Sequence, residues 1–330
     1  MPTTVFANRY NSLRDSVNLV LSQSNPATPT YGYGESFSTS GVVGTQSVAE
    51  PSTATKVTAQ QYEDLYIDAI RCRAHQLGAA NVTINDFVIG DYNTNLTDTD
   101  LIEESYIQGL ETLVADILND RFTAQAGNLR VSSIPPVSSV RPESGNIAWN
   151  GVLRHIFLIR FPNDLARRHF FNAGGEIRFS AAVAYTGSQA KTVDWQNILN
   201  TMNTNSFKAT ETVNNSGVGT NSNIGNYDLN NAYQLVFSTS GGAVYFRNQY
   251  NIYAREYTGI GNESAIQFRV DFVDGAPNDE TYGIDETVYG SFSSNIQCAT
   301  PDGEVEINGT TYNTVEIATD PIGTLIRPLS

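Results

Sequence analysis

The sequence predicts an α+β protein: N-terminal amphipathic helices with an extended polar arm over residues 1–142, then a C-terminal antiparallel β-sandwich over residues 143–330. Three observations lead there. Apolar residues recur at three-and-four spacing in three N-terminal segments, the period of a half-buried helix. After residue 147 the pattern changes to short alternating runs separated by Gly, Asn and Asp turns, the rhythm of a sandwich. Between the two, Ile134-Pro135-Pro136 to Pro142 reads as a polyproline-like linker, which places the boundary.

In residues 4–22, Phe6, Tyr10, Leu13, Val17 and Leu21 share one helical face, with Asn8, Arg9, Asn11 and Asp15 opposite. Such a helix needs a surface to cover. From Tyr31 to Thr55 the chain is rich in Ser, Thr and Gly, and its few apolar residues cannot offset the entropy of ordering. It reads as an arm ordered by a neighbour. A second helix runs from Thr58 to Leu77, opened by the capping box Thr58-x-x-Gln61 and stopped by Gly78. Its apolar side is Tyr62, Leu65, Tyr66, Ala69, Ile70 and Leu77. Residues 81–89 read as a short strand or extended link. Asp98 to Asn119 is a third helix, with Asp100-x-x-Glu103 as cap and Leu110, Leu113, Val114, Ile117 and Leu118 as buried stripe.

The centre of the chain is residues 147–181. Leu153 to Phe161 reads as a strand that Pro162-Asn163-Asp164 breaks, because proline lacks the donor a ladder needs. A short segment, Leu165 to Phe171, leads to a tight turn at Asn172-Ala173-Gly174-Gly175, where one glycine takes positive φ. The strand Glu176 to Ala182 follows, with Ile177 and Phe179 on its buried face. Asp194 to Met202 is expected to be a short helix lying on the sheet. Further strands are expected at Ser206–Thr212, Tyr233–Thr239, Ala243–Ala254, Ala265–Val273, Glu286–Ile296 and Thr311–Thr319. Asn214 to Asn231 reads as a polar edge loop that tolerates substitution.

The formal net charge is −15, which disfavours nucleic acid and anionic membranes as partners. Lysine occurs only at 56, 191 and 208, so arginine carries nearly all positive charge, a bias suited to packed polar interfaces. No apolar run approaches the roughly 20 residues of a membrane span, and Met1-Pro-Thr-Thr opens without the features of a secretory signal. Synthesis in a cytoplasm is expected. Cys72 and Cys298 read as free thiols.

Chemistry-bearing patterns are sparse. His75, His155 and His169 have no ligand-spaced partners, and HExxH, GxSxG and phosphate-loop motifs are absent. His155 and His169 flank the central turn and read as packed histidines rather than a metal site. Asp271, Asp274, Asp279, Glu280, Asp285 and Glu286 read as wet acidic turns rather than a calcium loop or a glycosidase pair. No catalytic residue, metal or cofactor is assigned. Among the clustered aromatics, Phe246 and Tyr250 are expected in the core, and Tyr257 is left open.

The run from Arg168 to Ala181 places the pair Phe170-Phe171 before Asn172-Ala173-Gly174-Gly175, then the strand Ile177-Arg178-Phe179-Ser180. A Trp-centred segment, Thr192 to Leu199, follows. This arrangement resembles virion structural proteins of tailed bacteriophages. Weaker echoes lie at Tyr31-Gly32-Tyr33-Gly34, His75-Gln76-Leu77-Gly78, Asn262–Asp274 and Asp285–Gly290. The resemblance touches most of the chain, and its motifs are structural rather than catalytic. It implies a non-enzymatic component of the virion that sits in the neck, tail or baseplate, or joins a fibre to it. Its partners would be other virion proteins and copies of itself, in a trimer or ring. Two alternative roles in the same setting are a capsid decoration or head-fibre protein, and a host-glycan-binding tail-tip protein with or without hydrolase activity.

Overall fold

The computed structural model describes residues 7–21, 32, 57–77, 104–124, 129–133, 137–141, 151–258, 264–276, 287–301, 305–307, 310–312, 316–319 and 325–327. It contains both helices and antiparallel sheets, the α+β class that the patterning predicts. Backbone packing divides the chain into two units. One comprises Met1–Leu129, Leu165–Gly175 and Pro301–Asn313; the other comprises Arg130–Asp164, Glu176–Thr300 and Thr314–Ser330.

The first unit is built on α1 (Ala7–Leu21), α2 (Ala59–Leu77) and α3 (Glu104–Asn119). Their buried faces are the expected stripes: Tyr10, Leu13, Val17 and Leu21 on α1; Tyr62, Leu65, Tyr66 and Ala69 on α2; Leu110, Leu113, Val114 and Ile117 on α3. Leu118 is exposed, Ile70 and Leu77 are half-buried, and Phe6 lies outside the described residues. The capping box at α2 is formed in both directions. The Thr58 N–H donates to Gln61 Oε1 at 2.8 Å, and the Gln61 N–H donates to Thr58 Oγ1 at 3.3 Å. Buried hydroxyls tie the helices together, with Tyr62 donating to the Tyr106 carbonyl at 2.9 Å. Arg9 on α1 binds Glu104 at 2.7 Å and makes a two-pronged contact with Glu111 on α3. The Tyr31–Thr55 arm apart from Gly32, the 81–89 segment, and the Asp100–Glu103 cap lie outside the described residues.

Leu165 to Phe171 lies within a helix, α4 (Asp164–Asn172). Its C-terminal turn packs on the residues that follow α3. The Phe122 N–H donates to the Asn172 carbonyl at 3.2 Å, and Gly174 takes φ +83° against the backbone of Thr123 and Ala124. A Cβ on Gly174 would lie 2.1 Å from the Ala124 nitrogen, so the turn needs glycine for both conformation and space.

The second unit is a sandwich of two sheets. Sheet A runs β13 (Glu316–Thr319), β3 (Gly151–Phe161), β9 (Ser264–Asp274), β8 (Gln249–Tyr257), β7 (Gln234–Ser240), with β14 (Leu325–Arg327) also on β3. Sheet B runs β1 (Leu129–Ser133), β10 (Gly290–Pro301), β4 (Glu176–Ala184), β5 (Asn205–Phe207), β6 (Thr212–Asn214), with β2 (Val137–Arg141) also on β10. Inward residues interdigitate between the sheets. Phe268 of sheet A meets Phe179 at 4.8 Å and Phe207 at 5.0 Å of sheet B, and Phe272 meets Phe292 at 5.2 Å. The helix α5 (Ala190–Met202) drives Trp195 between Phe272 and Phe292, at 5.9 and 5.7 Å. It therefore plugs the sandwich rather than only lying on one sheet.

Several expectations are corrected. The 134–142 linker contains β2, which pairs with Gly290–Ser294 of β10, so backbone pairing overrides the proline signal. The first packing unit ends its N-terminal stretch at Leu129 and also takes in Leu165–Gly175 and Pro301–Asn313. The strands flanking the Asn172–Gly175 turn do not pair with each other: β3 pairs β9, and β4 pairs β10 and β5. Ser206–Thr212 is split between two strands, and Ala243–Ala254 begins as a 3₁₀ turn at Ala243–Tyr245 before β8. The polar loop is tied down by bridges Thr212↔Ser222 and Thr220↔Ser238, and the Asn214 side chain donates to the Met202 carbonyl and Asn205 Oδ1 and accepts from the Ser216 and Val218 N–H groups.

Candidate interaction face

Sheet A has one face against sheet B and one turned away. On the outer face, antiparallel register aligns side chains into rungs. Ile156, Arg269, Tyr253 and Leu235 form one rung across β3, β9, β8 and β7. Arg154, Asp271, Asn251 and Ser238 form the next, and Leu158, Gln267 and Arg255 the one on the other side. This face carries a connected polar network.

Arg154 grips Asp271 bidentately, Nε to Oδ1 at 2.7 Å and Nη2 to Oδ2 at 2.8 Å, the geometry a planar guanidinium favours. Arg269 Nε lies 3.2 Å from Asp271 Oδ2. The Arg269 guanidinium stacks 4.0 Å from the Tyr253 ring centre and 4.7 Å from that of Tyr233. Arg255 stacks on Tyr233 at 4.6 Å and on Tyr257 at 5.9 Å, and donates twice to Gln267 Oε1 at 2.9 and 2.6 Å. The Tyr233 hydroxyl donates to the same oxygen at 2.8 Å. Burial pushes the Tyr233 phenol up, outweighing the three arginines that pull it down. Beside Arg255 a cleft of about 270 Å³ is lined by Asn231, Arg255, Glu256, Tyr257 and Thr258. Leu235, on the edge strand β7, is 45% exposed.

The remaining predicted chemistry falls elsewhere. Asp271 and Asp274 are not in wet turns but on β9, buried, because the strand extends through both. Asp274 faces inward. Lys191 of α5 places its ammonium 3.2 Å from Asp274 Oδ1 and donates to the Ala276 carbonyl at 3.0 Å, with both side chains fully enclosed. Burial raises the Asp274 carboxyl to about 6, with Lys191 pulling the other way. Asp279, Glu280, Asp285 and Glu286 lie outside the described residues.

His155 is buried on β3, with Nδ1 2.8 Å from Ser294 Oγ and its ring edge-on to Phe272. His169 is buried on α4, in the other packing unit. Among the described residues, no group of three or more His, Cys, Asp or Glu side chains is arranged to hold a metal. Cys72 and Cys298 are free and buried. Tyr250 is in the core as expected, but Phe246 is 59% exposed, with Arg247 over its ring. Phe246 belongs to the turn before β8 rather than to the strand, so no inward alternation carries it. No described helix is long and apolar enough to cross a membrane.

The sequence signals for the outer face were the tyrosine-rich run and the arginine bias. What joined them was register, since Tyr233 precedes β7 while Arg255 lies on β8 and Arg269 on β9. Comparisons with protein-family models, curated proteins and solved structures gave no match.

Proposed function

We propose that the protein is a structural component of a tailed-phage virion, assembling in the neck, tail or baseplate or joining a fibre to it. The observation that carries the reading is the outer face of sheet A. Tyrosine and arginine are the residues most used at the energetic centres of protein interfaces, because they combine large area with directed polar contacts. Here they are held in stacked, hydrogen-bonded positions on a rigid sheet, with the apolar Leu235 beside them. The resemblance around Phe170-Phe171 and Asn172–Gly175 supplies the virion setting, with synthesis in the host cytoplasm. The placement of the β9 acids favours scaffold over hydrolase. Asp271 is gripped by Arg154 and Asp274 is enclosed with Lys191, so neither is presented to a substrate.

The test is direct. Purified infectious particles, separated into heads and tails, are analysed by mass spectrometry and by labelling with antibody against this chain. A fixed copy number in the tail fraction is expected. Presence only on heads favours the decoration alternative, and absence from particles refutes the reading. Release of oligosaccharide from host surface glycan by the pure protein would move the reading to a tail-tip hydrolase.

A further inference from the structure

We infer that Lys191 and Asp274 join covalently after folding, in an amide between Lys191 Nζ and Asp274 Cγ that staples α5 to β9. This is a modification site inside the sandwich, and it does not depend on the assembly reading above.

The fold places the two groups for reaction. Lys191 Nζ stands 3.2 Å from Asp274 Oδ1 and 3.3 Å from Oδ2, astride the carboxyl group. Both residues belong to the same packing unit, and both side chains are enclosed. The neighbouring contact fixes their approach. Trp195 lies one helical turn beyond Lys191 on α5, and Phe272 lies two residues before Asp274 on the same face of β9. The Trp195 and Phe272 rings meet at 5.9 Å, so helix and strand are held in register at two successive positions. The Ala276 carbonyl, 3.0 Å from Nζ, holds the lysine end. Reactants fixed in this way meet without the entropy loss of an encounter in solution.

Burial favours the product. An enclosed ion pair keeps two charges away from water, whereas an amide in their place carries none. The same burial raises the Asp274 carboxyl towards its neutral form. A desolvated lysine is a nucleophile once it gives up a proton. Here the proton has a short path, along the hydrogen bond from Nζ to Oδ2, which leaves a neutral amine beside a neutral acid. Nζ then attacks Cγ. A second proton passes from the nitrogen to Oδ2, the Cγ–Oδ2 bond breaks, and Oδ2 leaves as water while Oδ1 stays as the amide oxygen. Ammonium and carboxylate thus give one amide and one water, with nothing oxidised, reduced or added. Only the neutral pair reacts, so linking trails folding, and freshly made chain still carries a carboxyl that titrates.

Intact-mass spectrometry of the full chain tests the inference, on fresh protein and after prolonged incubation of the folded protein at neutral pH. The incubated chain is expected to weigh one water less than its sequence. Proteolysis should then yield a branched peptide that joins the segments around Lys191 and Asp274, and trypsin should no longer cut after Lys191. The linked chain should also melt at a higher temperature, because the bond constrains a span of 83 positions in the unfolded state. Gly275 follows Asp274, so closure of the aspartyl carboxyl on the Gly275 nitrogen is a second route to the same loss of water. Lys191→Met separates the two, since it abolishes the amide and leaves backbone closure open. Thermal unfolding shows whether that variant folds. If it does not, the branched peptide of the wild type decides alone. An unchanged sequence mass in the incubated chain overturns the inference and leaves an ion pair only. So does a loss of water that Lys191→Met retains in full, or a branched peptide that joins other residues.

Discussion

Substituting Asp274 by Asn should change how stability depends on pH, and the structure gives the size. The Asp274 carboxyl is raised from an ordinary 3.8 to about 6, because burial outweighs the attraction of Lys191. A carboxyl whose value is raised in the folded state binds its proton more tightly there than in the unfolded chain. Its stabilising contribution is therefore complete below the unfolded value and lost as pH rises through the folded one. The window runs from about pH 4 to about pH 6. A shift of about two units corresponds to ~3 kcal/mol, lost by pH 7. Asparagine cannot ionise, so the difference in unfolding free energy between Asp274→Asn and wild type isolates this group from every other carboxylate. Relative to wild type, the variant should gain about 3 kcal/mol between pH 4 and pH 7. Lys191→Met tests the other half of the pair. Without the ammonium, the main opposition to burial at this site is gone, so the Asp274 carboxyl should rise further and Lys191→Met should be less stable than wild type at pH 7. Lost packing of the lysine stem adds to that loss. Urea unfolding at pH 4, 5, 6 and 7 measures all three proteins. If Asp274→Asn tracks wild type in parallel across that range, the argument that burial dominates Lys191 at this site is refuted.

Other outcomes follow from the same structure. Gly174→Ala should lower stability by roughly 2–4 kcal/mol, since φ +83° and a 2.1 Å approach to the Ala124 nitrogen act together, whereas Gly217→Ala, with open space around it, should cost only about 1 kcal/mol; denaturant midpoints compare them. In the polar loop, Gly219→Ala should behave like Gly174→Ala, because its Cβ would lie 2.6 Å from the Phe237 ring. Burial pushes the Cys298 thiol up to about 12 and Cys72 well above its ordinary value, so a thiol reagent should label neither in native protein at pH 8 and both after denaturation. Thr58→Ala removes one half of the α2 capping box and should lower the thermal midpoint through a loss of ~1 kcal/mol.

Periodicity was enough to identify what depends on neighbours in sequence. The stripes of α1, α2 and α3 and the inward faces of β4 and β9 alternate at fixed spacing, so one face is apolar wherever the element is placed. The Thr58–Gln61 box and the Gly174 turn are equally local, closing within four residues. Pairing partners are not local. Nothing in Val137–Arg141 distinguishes an extended linker from a strand until β10 lies beside it to take its hydrogen bonds. The strands on either side of α4 enter different sheets because the helix separates them, which a reading of the turn alone could not contain. The acids at 271 and 274 sit near a Gly-Ala-Pro-Asn signal and read as wet. Strand β9 continues through both, and the alternation sends one to Arg154 on the outer face and the other to Lys191 within. The composition already showed tyrosine and arginine in excess of lysine. Only the register of β3, β9, β8 and β7 gathered them onto one face, because cross-strand neighbours are close in space while remaining up to 117 positions apart in the chain.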